Sequence, residues 1–154
     1  MRMGSDVHED FVAARSDPGP RRSIHPLHAI LLAFPFPLFL GALLSDLAYS
    51  SSFQIQWANF SAWLIAGGLL AGALTLLWSL INLFRNKMAP RKRPIVYFSV
   101  LLAMWVVGLV NAFVHAKDAW ATMPEGLYLS AASAFLALVA AWIGYSGFRT
   151  GKVG

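Results

Sequence analysis

The sequence contains no cysteine, which removes disulfides, thiolate metal sites, iron–sulfur ligation and cysteine nucleophiles from consideration. It is also poor in charge. Asp, Glu, Lys and Arg make up 12% of its 154 residues, while hydrophobic residues make up 58%. A soluble domain carries about 25% charged residues, and the few present here could not solvate the surface of one. From Leu47 to Phe84 there is no charged residue at all. Motifs are missing too: there is no phosphate-binding glycine loop, no Ser-His-Asp set and no His-Glu-x-x-His. The solvent that suits such a chain is lipid.

What is present is four long apolar segments behind a polar arm. Residues 1–23 hold Arg2, Arg15, Arg21 and Arg22 against Asp6, Glu9, Asp10 and Asp17, with Pro18, Gly19 and Pro20 near the end. That composition predicts a disordered arm. It does not read as a signal peptide, because no apolar stretch precedes Arg21. The apolar segments run from about Leu27 to Ala48, Trp57 to Phe84, Pro94 to His115 and Gly126 to Phe148. Each has the roughly 20 residues needed to cross a bilayer. Between the first two, Tyr49, Ser50, Ser51, Ser52, Gln54 and Gln56 mark a turn. The expected fold is all-α: an integral membrane four-helix up-down bundle occupying residues 24–154, with short connections and antiparallel neighbours.

The basic residues predict its orientation. Arg85, Lys87, Arg91, Lys92 and Arg93 lie between the second and third segments with no acid among them. Arg21 and Arg22 precede the first segment, and Arg149 and Lys152 follow the fourth. The other two links hold only Lys117, Asp118 and Glu125. Lys and Arg stay cytoplasmic, so both termini and the second link are expected there. The net charge of +5 is then a matter of topology and not of nucleic-acid binding. Tyr49, Trp57 and Trp120 fall at the outer interface, where amphipathic rings prefer to lie.

Depth sorts the polar residues into two layers. A helix rises about 1.5 Å per residue, which sets Asp46 roughly 27 Å beyond His28. The outer layer holds Asp46, Asn59, Asn111 and His115, with Lys117 and Asp118 beside it. The inner layer holds His25, His28, Asn82 and the basic link. His28 and His115 therefore cannot share one haem iron. His25 and His28 could share a metal, but no carboxylate completes a site, and interfacial histidines are the plainer reading. Asp46 is the leading candidate, because a carboxylate in an apolar span is costly and marks function by default. Asn111 and His115, spaced i, i+4, share one helical face. If that face meets the first helix, Asp46 accepts a hydrogen bond from His115. The result is either a structural clamp or a proton or cation site opening outward.

Pro35 and Pro37 interrupt the first span, which reads as a kink or as a broken helix lining a cavity. Gly68 and Gly72, and Ser133, Ala137 and Ala141, are small-residue sets that let membrane helices approach closely, within the chain or in a homodimer. Asn59-Phe60-Ser61 matches a glycosylation acceptor but begins an apolar helix.

His25-Pro26-Leu27-His28, Phe34-Pro35-Phe36-Pro37-Leu38 and Gly41-Ala42-Leu43-Leu44-Ser45-Asp46-Leu47 occur in that order. Val110-Asn111-Ala112-Phe113-Val114-His115-Ala116-Lys117-Asp118-Ala119-Trp120 and Pro124-Glu125-Gly126-Leu127-Tyr128-Leu129-Ser130 follow. From His25 onward the chain resembles the bacterial membrane family known as domain of unknown function 2231. The resemblance implies a four-helix membrane protein without an assigned activity. His25, Pro26, Phe34, Pro35, Gly41, Asp46, Asn111, His115 and Gly126 match the family pattern. Some relatives are joined to Rieske-type or cytochrome-type domains, which implies a redox setting. The family's usual Gly-Gly-Glu run is replaced here by Tyr145-Ser146-Gly147 after Trp142-Ile143-Gly144.

Three functional classes follow. The first is a non-enzymatic protein of the bacterial inner membrane that assists a membrane partner, respiratory by the resemblance. The second is a small oligomeric transporter or proton conduit using Asp46 and His115. The third is a membrane protein holding haem b or a quinone at one histidine layer.

Overall fold

The computed structural model describes residues 26–85, 92–117 and 122–146. The expectations for the N-terminal arm, His25, Lys87, Arg91, Asp118, Trp120 and the C-terminal basic residues lie outside the described residues. The elements are α1 (Pro26–Ala33), α2 (Pro35–Ser52), α3 (Ile55–Arg85), α4 (Lys92–His115) and α5 (Glu125–Ser146). Among the described residues there is no strand. Taken together, α1 and α2 form one candidate membrane span. With α3, α4 and α5 they give four helices long and apolar enough to cross a bilayer.

The division between α1 and α2 is a kink and not an unwound segment, because Phe34 keeps helical angles (φ −79°, ψ −42°). Its cause is Pro35. Without an N–H it cannot bond the carbonyl of Leu31, and in lipid that carbonyl needs another donor. The Thr75 hydroxyl of α3 shares its one hydrogen between Leu31 O at 3.2 Å and Ala71 O at 2.8 Å. A side chain from a neighbouring helix thus repairs the gap left by the proline.

The first turn is shorter than the run of polar residues predicts. α2 continues to Ser52, because Ser50, Ser51 and Ser52 turn their hydroxyls back onto carbonyls of Leu47 and Ala48. Polar side chains that satisfy themselves on their own helix do not break it. The helix ends at Phe53, in the left-handed conformation (φ 55°), whose N–H bonds Tyr49 O at 2.8 Å. α4 begins two residues ahead of the expected Pro94, with Lys92 and Arg93, because proline is tolerated in a first turn.

The helices close a ring in which α2 packs on α3 and α5, and α4 packs on α3 and α5. Phe39 fills its centre, fully buried. It lies between two glycines: an added Cβ would stand 3.1 Å from its ring at Gly68 and 2.9 Å at Gly108. At Gly72 an added Cβ would meet Met104 at 3.2 Å. The Gly68 and Gly72 pair therefore closes contacts within the chain. Ile65, Leu101, Met104, Ala134, Ala137 and Ala140 complete the core. Trp63, Phe113, Phe135 and Trp142 point outward, as they do when the surrounding medium is apolar.

Candidate functional site

At one end of this ring each of the four spans contributes a polar side chain to a single cluster. Asp46 on α2 is fully buried. Its Oδ1 lies 2.9 Å from His115 Nε2 of α4. Its Oδ2 accepts a hydrogen bond from the Ser130 hydroxyl of α5. Ser130 Oγ in turn accepts from Asn111 Nδ2 at 2.8 Å. From α3, Ser61 Oγ lies 3.3 Å from His115 Nε2 and donates to the Ala42 carbonyl at 3.2 Å.

The surrounding acceptors favour one arrangement of the protons. His115 Nδ1 lies 3.0 Å from the backbone carbonyl of Asn111, which can only accept, so Nδ1 carries a hydrogen. Ser61 gives its hydrogen to Ala42 and so turns a lone pair toward Nε2. Ser130 gives its own to the carboxylate. Both neighbours therefore favour a hydrogen on Nε2 as well. The arrangement suits an imidazolium facing a carboxylate, a charge-assisted bond of the stronger kind. Among the described residues two buried side-chain atoms, Asn111 Oδ1 and His28 Nδ1, have no hydrogen-bond partner.

Local sequence explains why these groups meet. Asn111 and His115 are one helical turn apart, so the residue that orients the imidazole precedes it on the same face. Gly126, at the start of α5, provides the space. A Cβ there would stand 2.9 Å from His115 Cε1 and 2.8 Å from Thr122 Cγ2.

A second cluster occupies the opposite end. His28 of α1 is buried, its Nε2 3.3 Å from the Tyr97 hydroxyl of α4. Its ring stacks with Trp78 of α3 at a centroid distance of 6.1 Å. Nearby, the Tyr145 hydroxyl of α5 donates to Ala29 O at 2.8 Å, and Arg93 donates to Ser146 Oγ at 3.3 Å. His28 and Asp46 thus engage separate sets of residues. Their partners are likewise far apart on every helix: Trp78 from Ser61, Tyr97 from His115, Tyr145 from Ser130.

Of the residues singled out from sequence, Asp46, Asn111 and His115 come together, His28 stands apart, and His25 lies outside the described residues. Asn59 is exposed and takes no part in the cluster. Sequence reasoning missed Ser61, Ser130, Trp78 and Tyr97 as members of these layers. Both ring nitrogens of His115 are engaged, so it could ligate an iron only by giving up a hydrogen bond. Among the described residues no group of three or more His, Asp or Glu side chains is placed to hold a metal.

A family model described as a predicted membrane protein, DUF2231, matches residues 24–154. No curated protein and no solved structure matches the chain.

Proposed function

We propose that this chain, which belongs to the DUF2231 family of predicted membrane proteins, is a non-enzymatic scaffold of the bacterial inner membrane that assists a membrane partner. It is an up-down four-helix bundle with both termini cytoplasmic. The Asp46–His115 cluster locks its spans together, and its lipid-facing surface does the work. One observation carries this reading: all four spans contribute to a cluster whose two charged members are sealed, with side-chain exposures of 0% for Asp46 and 2% for His115. A closed ion pair has no face for a substrate. It does have the geometry to fix helix register, a use for which buried polar groups are well suited. The exposed aromatics, Trp63 at 73% and Trp142 at 74%, lie on the surface a partner would meet. By the family resemblance that partner is a respiratory or redox complex. Purification from the native membrane in mild detergent tests the proposal. A partner protein or a second copy should co-purify, and a lone monomer would overturn the docking role.

The same pair supports a second reading, a proton conduit, because the His115 ring and the Asp46 carboxylate, 2.9 Å apart, are a donor and an acceptor for one proton. The measurement that separates the two is proton flux into liposomes containing the protein. The scaffold reading expects a rate equal to that of empty liposomes. Flux abolished by Asp46→Asn would establish the conduit instead.

A further inference from the structure

The cluster around His28 is not used by the scaffold role and has an unmet donor. Tyr97 faces His28 Nε2, and a phenol is the better donor of the two, so Nε2 accepts and the hydrogen of the neutral ring sits on Nδ1. Among the described residues that Nδ1 is buried without a partner, in a residue only 8% exposed. Buried polar atoms are nearly always paired, so the fold leaves a donor waiting for an acceptor. The surroundings specify that acceptor's charge. Arg93 precedes Tyr97 by four residues, so the two lie one turn apart on one face of α4. Lys92 and Arg93 are exposed at the start of α4 and Arg85 at the end of α3, while the described part of this end carries no acid. The first turn of α1 adds the positive end of a helix dipole, with His28 in it. Around these groups lie the exposed apolar side chains Leu27, Ile30, Ile81 and Ile95, a surface suited to acyl chains.

We propose that this end of the molecule binds one phosphate group, that of an anionic phospholipid headgroup, with His28 Nδ1–H and the Arg93 guanidinium as its donors and Trp78 and Tyr97 holding the imidazole in place.

The test is native mass spectrometry of the full chain in detergent micelles containing equal amounts of phosphatidylglycerol and phosphatidylcholine. One phosphatidylglycerol should be retained in preference. Arg93→Gln, a change at an exposed residue, should lower the preference about fivefold, the effect of one basic residue near a membrane surface. His28→Gln, which keeps a polar atom near the position of Nε2 but deletes the Nδ1 donor, should lower it by a similar factor. Inorganic phosphate at millimolar concentration distinguishes the sources: displacement of the lipid would make a soluble phosphate the ligand, and persistence would assign the site to lipid. Equal retention of both lipids by the parent protein, or an unchanged preference in Arg93→Gln, would overturn the proposal.

Discussion

His115 is held at three points, by Asp46, Ser61 and the Asn111 backbone carbonyl, and the two side-chain holds can be removed singly. Asp46→Asn keeps the shape but leaves the imidazole without its counter-charge. Breaking a buried pair costs about 3–5 kcal/mol, and the lower end applies in a membrane, where the unfolded helices find other partners. Unfolding in detergent should therefore show a loss of about 3 kcal/mol for Asp46→Asn. In a cycle with His115→Ala the coupling should exceed about 1 kcal/mol. Additive effects would mean that the two side chains do not act as a pair. Gly126→Ala addresses the same site from the backbone. Its methyl would crowd His115 and Thr122 and should cost about 1–3 kcal/mol. Gly67→Ala serves as its control, because its methyl would meet only Leu38 at 3.6 Å, an ordinary contact, and stability should hardly change. Equal losses at the two glycines would contradict the crowding.

Between elements, the joint of α1 and α2 gives a sharper test than either helix alone. Thr75→Val removes the hydroxyl that reaches Leu31 O and should cost about 1 kcal/mol in thermal unfolding. Restoring the backbone donor with Pro35→Ala should abolish most of that cost, because the residue-35 N–H then takes the carbonyl back. A cost that is the same in both backgrounds would show that Thr75 serves only its own helix. Much of this architecture was legible in the sequence. Length and composition mark the four spans, and the two polar layers follow from helical rise. Asn111 and His115 stand out at i, i+4. The buried stripe of α3, Ala58, Ser61, Ile65, Gly68, Gly72, Thr75 and Ser79, was there to read as well. Its members recur every three or four positions, but Ser61 and Thr75 are common residues in membrane helices and carry no label. Nor could periodicity place Ser130 opposite Asp46, since that contact depends on which faces of α2 and α5 meet. The extension of α2 to Ser52 escaped notice because serine reads as a turn residue until its hydroxyl is seen bonding the preceding turn.

For the whole molecule, the basic link and the chain ends predict a topology that reporter fusions can check. Fusions to an enzyme active only outside the cytoplasm should be silent at residue 154 and within residues 86–91, and active within residues 118–121. Activity at residue 154 would invert the orientation and with it the side on which each polar layer lies. Whichever way it faces, Phe39, Ile65, Leu101 and Met104 fill the middle, and among the described residues there nothing titrates. This stretch behaves as an electrical insulator. A voltage across the bilayer drops mainly over it, at about 2.3 kcal/mol per elementary charge per 100 mV. The Asp46–His115 pair, seated to one side, is therefore held close to the potential of a single compartment, and changes in membrane voltage should leave its proton undisturbed.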